Sequence, residues 1–218
     1  MSLFVQISRM LGVEWDSLCE AQLWGLAAGG VLSRVNQESF SRLESRRPKE
    51  ECIEILSEAW GVYEPHHAWG LKYWLENEGH SKECLDVLSG KELGEQPNCG
   101  DPEARFGFAE ANREILEKYG LMAWDHGNLI QAARWSYSAG YISSDDAWDW
   151  IMSSAKTIQD NYSSWEHYGF HWRLGFEYWN DGQPLTSSFR EAGAWLLMNS
   201  ASPWKKLPWD EDLTYIPQ

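Results

Sequence analysis

The stretch SSDDAWDWIMSSAKTIQDNY, residues 143–162, indicates the fold class of the whole chain. Ser143 and Asp146 have the spacing of a helix N-cap and its reciprocal acidic partner, so a helix is expected to begin here. Large or apolar side chains then recur every three to four residues, which puts them on one helical face. They are Trp148, Ile151 or Met152, Ala155, Ile158 and Tyr162. The stretch therefore predicts a helix that packs against other helices.

The same periodicity predicts helices along most of the chain. The expected ranges are 19–34, 50–60, 65–78, 102–119, 122–138 and 186–198, and a further helix is expected to begin at a capping box of Ser163 and Glu166. Gly61 and Gly140 are expected to end the helices that precede them. Alternating runs of β-branched residues, which are typical of strands, are nearly absent. The predicted fold class is all-α.

Aromatic rather than aliphatic side chains supply much of the apolar content, since the 218 residues include 15 tryptophans. The helix after Ser163 aligns several of them on one face, namely Trp165, Tyr168, Trp172, Phe176 and Trp179. Helical spacing favours packing in a core over stacking on a ligand. We expect a single Trp-rich, multi-helix globular domain over residues 1–218, with a proline-rich C-terminal tail that begins at Ser202.

The segment 89–104 is rich in glycine, proline and charge. Such a composition is typical of a long loop or a linker. The sequence leaves open whether this segment divides the domain into two parts.

Charge is the most unusual property of the chain, because 33 acidic residues against 18 lysines and arginines give a net charge of -15. The surplus is spread over both halves. Nucleic-acid binding requires clusters of basic residues, so we expect none, and an anionic membrane surface is disfavoured for the same reason. A basic protein partner is the positive expectation. The alternative is that the charge only keeps a Trp-rich protein soluble. The predicted partner-binding residues are Asp145, Asp146, Asp149, Asp210, Glu211 and Asp212.

The four cysteines are far apart and form no C-x-x-C pair, which indicates reduced thiols rather than a disulfide framework or a zinc site. The N-terminal residues lack the basic leader and apolar run of a signal peptide. No stretch approaches the length of a membrane span. The predicted location is the cytoplasm.

A second interpretation is an enzyme or a small-ligand-binding protein with a pocket between Trp-rich helices. The candidate pocket residues are Trp124, Asp125, Arg134, Trp165, Glu166 and His171. Arg134 is expected to be half-buried and to need a carboxylate from elsewhere, with Glu166 and Asp146 as candidates. His167 and His171 share a helical face, but no zinc-binding motif accompanies them. We therefore predict no catalytic residue, no metal site and no cofactor, and the case against an enzyme is the stronger one.

Several short stretches occur in the same order in a known bacterial family. They are Glu58-Ala-Trp-Gly-Val62, Leu75-Glu-Asn-Glu-Gly-His80, Ala123-Trp-Asp-His-Gly127, Ala133-Arg-Trp135, Gly140-Tyr-Ile142, Ser164-Trp-Glu166 and Ser202-Pro-Trp-Lys-Lys-Leu-Pro-Trp209. On these residues the chain resembles the domain-of-unknown-function 1266 family. The resemblance implies a bacterial, mainly helical protein and brings no catalytic residues with it.

Two departures from the family pattern concern arginines. Asn128 stands where the family has an arginine, and Gly175-Phe176 stands where the family has Gly-Arg. Any anionic-ligand site that these two arginines form in relatives is therefore not expected here.

The leading hypothesis from the sequence is a non-catalytic acidic interaction protein. Its specific form is an immunity or antitoxin-like protein that binds and neutralises a basic bacterial effector toxin, such as a nuclease. An acidic protein can do this by placing carboxylates in the cationic groove where a nuclease holds phosphates.

Overall fold

A computed structural model describes residues 18–91 and 100–214, and every regular element in these two ranges is a helix. The helices are α1 (Glu20–Ala28), α2 (Gly30–Val35), α3 (Lys49–Trp60), α4 (Pro65–Asn77), α5 (Gly79–Leu88), α6 (Pro102–Ala111), α7 (Arg113–Tyr119), α8 (Met122–Ala139), α9 (Ser144–Asn161), α10 (Trp165–Trp179), α11 (Ser187–Met198) and α12 (Pro203–Lys206). The predicted all-α class is confirmed.

The helix boundaries that the sequence marked with the capping box at Ser143 and with Gly61 and Gly140 are confirmed. Ser143 Oγ accepts a hydrogen bond from the Asp146 backbone N–H at 3.1 Å, and Asp146 Oδ2 accepts one from the Ser143 backbone N–H at 3.1 Å. Gly61 and Gly140 end α3 and α8 with φ of 63° and 77°. Glycine adopts this left-handed conformation without the steric cost that a Cβ atom imposes.

Four local predictions were wrong by small amounts. The helix expected over 19–34 is divided at Gly29, and the one expected over 102–119 is divided at Asn112. The N-cap of α10 is Ser164 rather than Ser163, because Ser164 Oγ accepts the hydrogen bond from the His167 backbone N–H. Trp179 is 46% exposed, although its helical spacing predicted a core position.

The helix α5 was not predicted, since Gly79 and His80 were expected only to end α4. Gly79 turns the chain with φ of 57°, and α5 begins at once. The carboxylate that receives the first backbone N–H groups of α5 belongs to Asp125 on α8. A cap that comes from a distant residue leaves no local mark in the sequence.

Helix α8 is the central element and is buried on nearly all sides, with α3, α4, α5, α9 and α10 packed around it. A helix enclosed in this way needs small residues where neighbours come close. A Cβ atom at Gly127 would lie 2.8 Å from Trp172 Nε1, and one at Gly175 on α10 would overlap Trp124 Cβ. These two glycines let α8 and α10 pack with large aromatic rings between them.

The segment 202–213, which we call the tail strap, lies across α1, α9 and α10. Four indole N–H groups donate to backbone carbonyls where the strap meets the core. Their bonds run from Trp204 to Ala27 at 2.7 Å, Trp165 to Leu207 at 3.0 Å, Trp24 to Pro208 at 3.1 Å and Trp209 to Tyr162 at 3.1 Å. Buried indoles with satisfied N–H groups fix both the position and the direction of a chain segment. The predicted proline-rich tail is therefore a packed part of the domain.

The helices on the two sides of the segment 89–104 contact each other. Arg105 on α6 donates to Glu83 on α5 at 2.8 Å and to Asp181, which follows α10, at 3.0 Å. Residues 92–99 of this segment lie outside the described residues, and its role as a subdomain boundary stays a prediction.

Three of the four cysteines lie in the described part of the chain, and all three are free thiols. Cys52 and Cys84 are buried, and burial raises the pKa of the Cys84 thiol to about 12. Cys99 lies outside the described residues. Among the helices of residues 18–91 and 100–214, none combines the length and apolar character that crossing a membrane requires.

Candidate functional site

The six predicted partner-binding acids fall into two groups at the two ends of α9. Asp145, Asp146 and Asp149 occupy the first turns of that helix. Asp210, Glu211 and Asp212 belong to the tail strap, which the Gln159 side chain holds by donating to the Trp209 and Glu211 carbonyls. From residue 145 to residue 159 the axis of α9 advances about 21 Å. The two acidic groups are therefore separate features of the surface.

Four of these six carboxylates have no internal partner. Asp145, Asp149 and Asp210 are exposed and Glu211 is partly exposed. Within the described residues, none of their four carboxylates forms a hydrogen bond or an ion pair. The other two are used locally. Asp146 closes the capping box with Ser143, and Asp212 accepts hydrogen bonds from Thr214, which lower its pKa.

The basic side chains, by contrast, are largely neutralised within the protein. Many of them form ion pairs with nearby carboxylates, among them Arg47–Glu51, Lys72–Glu76, Lys82–Asp86, Lys91–Asp86, Arg113–Glu117, Lys156–Asp160 and Arg173–Glu177. Arg34 lies over the Trp195 ring, with its guanidinium carbon 4.3 Å from the ring centroid. Because lysines and arginines are fewer than acids and are mostly paired, the unpaired surface charge is predominantly negative.

The first part of the predicted pocket, Trp124 and Asp125, is structural. Asp125 is 2% exposed, and its carboxylate accepts hydrogen bonds from the backbone N–H groups of His80 and Ser81 at 3.1 and 2.8 Å. The same carboxylate lies 2.7 Å from His80 Nδ1. Asp125 therefore caps α5 and orients the His80 ring, which packs 5.1 Å from the Trp74 ring. Trp124 packs against the aromatic rings of α10.

Arg134 is fully buried, and its partners differ from those expected. Its guanidinium donates to the backbone carbonyls of Arg42 and Leu43 and to Ser33 Oγ, at 3.0 to 3.2 Å. The nearest carboxylate is Glu38, at 3.9 Å, so the expectation of Glu166 or Asp146 was wrong. Burial lowers the pKa of Arg134 to about 10, and the Glu38 charge opposes that shift. Arg134 thus fastens the loop before α3 onto α8.

Trp165 and Glu166 are adjacent in sequence but lie in opposite environments. Trp165 is buried in the aromatic cluster beneath the tail strap, with its ring stacked 5.3 Å from that of Trp204. Glu166 is exposed, and its carboxylate lies 3.8 Å from Lys205 Nζ.

His171 is buried between two tyrosine rings, with centroids 4.4 Å from Tyr119 and 5.1 Å from Tyr162. His167 Nδ1 accepts a hydrogen bond from the Ser163 backbone N–H, so the His167 proton is on Nε2 and is donated to His171 Nε2 at 3.1 Å. Burial, and secondarily the charges of His167 and Lys118, lower the pKa of His171 to about 4. No group of three or more metal-ligating side chains occurs in the described ranges.

The six candidate pocket residues are thus divided among separate packing environments. Within the described part of the chain, no contact joins Asp125, Arg134, Glu166 and His171 to one another. Sequence reasoning also missed three important polar residues, His80, Glu38 and Arg105, whose partners are far away along the chain. No local motif marks such residues.

One protein family is similar to this chain. The family model described as protein of unknown function (DUF1266) matches residues 55–209, in agreement with the resemblance inferred from the sequence. No curated protein and no solved structure matches the chain.

Proposed function

Because the match covers more than half of the chain, the chain belongs to the DUF1266 family, and we propose that it is an acidic interaction protein that binds and neutralises a basic protein. In its specific form, it is an immunity or antitoxin-like protein whose target is a basic bacterial effector such as a nuclease domain. The observation that carries this proposal is the set of unpaired carboxylates, Asp145, Asp149, Asp210 and Glu211, which find no internal counter-charge in the described residues.

The contrast with the buried carboxylates supports the proposal. Glu38 and Asp125 are buried and accept hydrogen bonds inside the fold. Ser45 and Trp135 donate to Glu38, and the backbone N–H groups of His80 and Ser81 donate to Asp125. The carboxylates of Asp149, Asp210 and Glu211 form no hydrogen bond within the described residues, and Asp145, in the first turn of α9, adds only a favourable interaction with the N-terminus of that helix. Exposed carboxylates without an internal partner can pair with a protein of opposite charge. Their long-range attraction also raises the rate at which the two proteins meet.

Neutralisation by this protein needs no catalytic group. A nuclease domain holds phosphates in a cationic groove, and carboxylates that enter the groove compete with the phosphates for the same lysines and arginines. The scaffold has to hold the acids in fixed positions. The capping box of α9 and the tail strap do so, since Asp145 and Asp149 lie on a capped helix and Glu211 lies beside the Gln159 anchor.

The test is binding to the basic products of the genes next to this one, each purified and titrated by calorimetry at low and at high salt. We expect one of them to bind, with an affinity that falls as salt rises and with loss of the partner's own activity at equal stoichiometry. A variant that combines Asp145→Asn, Asp149→Asn, Asp210→Asn and Glu211→Gln should associate more slowly. If none of these basic products binds even at low salt, the proposal is wrong.

A further inference from the structure

A group of large aromatic side chains is exposed along α4 and the turn before it. Tyr63 is 64% exposed, Trp69 is 45% exposed and Tyr73 is 63% exposed. Trp69 and Tyr73 are four residues apart on one helical face, and Tyr63 precedes the start of the helix. We call these three residues the aromatic patch. Exposed tryptophan and tyrosine side chains in one place are uncommon on a surface that has no partner.

The Tyr63 ring meets the edge of the His67 ring at 6.1 Å, and its other side remains exposed. Gly70 is also exposed, one helical turn before Tyr73, and a Cβ atom built there would meet nothing within 4 Å. His66 on the same helix is also exposed, and its Nδ1 atom lies 3.5 Å from Glu64 Oε2. Within the described residues, 18–91 and 100–214, the aromatic patch is therefore exposed to solvent.

The aromatic patch is joined to the acidic start of α9 by two contacts. The Trp69 ring packs against the buried Trp150 ring of α9 at 5.1 Å, and the Tyr141 hydroxyl donates to the Tyr63 carbonyl at 3.0 Å. Tyr141 lies just before the N-cap of α9, so its contact with Tyr63 places the aromatic patch beside the start of that helix, where Asp145 and Asp149 are exposed. On α9, Asp149 and Asp145 project about 100° and about 140° around the axis from Trp150. The aromatic rings and the unpaired carboxylates thus lie near the same end of α9.

The charge at this surface is mainly negative. The basic groups at its edge are Lys49, which approaches Gly140, and Lys72, which is bound to Glu76. No described basic side chain pairs with Asp145 or Asp149.

We propose that the aromatic patch and the start of α9 form one docking surface for the basic partner, and that the partner presents arginine side chains to it. This inference rests on the proposed function and names its binding site. Arginine is favoured over lysine because its planar guanidinium stacks on Trp and Tyr rings while it forms bidentate hydrogen bonds to carboxylates. Tryptophan and tyrosine are also the residues that most often dominate binding energy at interfaces.

Among the described residues, Trp209 is the aromatic residue next to Asp210 and Glu211 in the chain, and it is only partly exposed and already donates its indole N–H to the Tyr162 carbonyl. Asp210 and Glu211 therefore add to the overall field and provide a matched comparison for the acids of α9.

The first test compares two short synthetic peptides, one of alternating arginine and glycine and one of alternating lysine and glycine, in titrations followed by tryptophan fluorescence. We expect the arginine peptide to bind more tightly. The variant Gly70→Gln places a side chain beside the Tyr73 ring without an internal clash, and it should weaken binding of the arginine peptide by about tenfold. The control is Gly107→Gln on α6, where a Cβ atom also meets nothing within 4 Å and where Phe106 is likewise exposed.

The second test separates the two acidic groups at equal net charge. The pair Asp145→Asn with Asp149→Asn should weaken binding of the arginine peptide by about fivefold, whereas Asp210→Asn with Glu211→Gln should change it by less than about twofold. Thermal unfolding of each variant verifies that the fold is retained.

The outcomes of these tests separate a failure of the proposed docking surface from a failure of the proposed function. The docking surface is wrong if Gly107→Gln weakens binding as much as Gly70→Gln does, if the tail pair weakens it as much as the α9 pair does, or if lysine and arginine peptides bind equally. A basic gene neighbour that binds wild type and Gly70→Gln equally would also overturn the surface but leave the proposed function standing. Binding of the arginine peptide in the expected pattern, with no basic gene neighbour bound, would support the surface and contradict the function.

Discussion

The tail strap with the core beneath it and the aromatic patch both contain large aromatic side chains, yet they use these side chains in opposite ways. Where the tail strap meets the core, each of four indoles, two of them in the strap, is packed against other rings and donates its N–H to a backbone carbonyl. In the aromatic patch, most of the ring surface of Tyr63 and Tyr73 faces solvent. The difference shows that the aromatic content of this chain serves two purposes, since only the first kind of residue stabilises the fold. Substitutions in the two regions should therefore have very different effects on stability.

The largest effect is expected for Trp204→Ala in the tail strap. This change removes a buried ring stacked on Trp165 and leaves the Ala27 carbonyl without its donor, so the free energy of unfolding should fall by about 3–5 kcal/mol. The midpoint and slope of urea unfolding measure this loss of free energy. Trp204→Phe keeps most of the ring packing and should lose about 1–2 kcal/mol. Equal losses for the two variants would show that packing of the ring is not the main contribution.

The next effect is a pH dependence that arises at His171, beneath the aromatic rings beside the strap. Its pKa in the folded protein is about 4, below the ordinary value of 6.5, so the unfolded chain binds a proton that the folded chain does not. His171 therefore contributes full stability above about pH 6.5 and loses about 3 kcal/mol as the pH falls to about 4.

The measurement is the urea midpoint of wild type and of His171→Phe over that pH range. Carboxylates also titrate there, but they do so in both proteins, so the difference between the two curves isolates the histidine. Parallel curves would contradict the prediction.

A smaller effect is expected for Ser202→Ala, at the first residue of the tail strap. Ser202 is fully buried, and its Oγ accepts from the Trp204 backbone N–H and donates to the Leu196 carbonyl at 2.6 Å. Loss of this N-cap should cost about 1–2 kcal/mol. Thermal unfolding checks this loss, and Ser187→Ala, at an exposed position of α11, is a control that should leave the midpoint unchanged.

The smallest effect is expected in the aromatic patch itself. Tyr73→Ala removes a side chain that is mostly in solvent, so the free energy of unfolding should change by less than about 0.5 kcal/mol in either direction. A loss as large as that of Trp204→Ala would show that the aromatic patch is part of the core, and the comparison between the two regions would then fail.

The sequence predicted the elements of this fold better than the contacts between them. A cap such as Ser143 or a stop such as Gly140 acts on residues within one turn, so its effect can be read locally. The partner of Asp125 is 45 residues away, and those of Arg134 are about 90 residues away. Which distant backbone groups surround a buried charge depends on how the helices pack, and one sequence does not state that.

The candidate surface, too, was predicted from the sequence only in part. The acids of α9 and of the tail strap were chosen from the sequence because they are acidic and suit exposed positions. Their separation by the length of α9, and the contact of Trp69 with Trp150, became visible only in the structure. The spacing of Trp69 and Tyr73 places them on one helical face but does not tell whether that face is exposed, because helical spacing gives the same signal for a buried and for an exposed aromatic face.

The tail strap also has a consequence for how the protein is made. The Trp204 indole N–H bonds to the Ala27 carbonyl across 177 residues, and Trp24 bonds to Pro208 across 184 residues. On a ribosome, α1 emerges well before the residues that cover Trp24 and Trp165. Contacts between such distant parts of a chain slow folding, and growing chains expose apolar surface until they form. A nascent chain from which the strap has not yet emerged therefore presents uncovered tryptophans, which makes it a substrate for chaperones until the strap is made and packed.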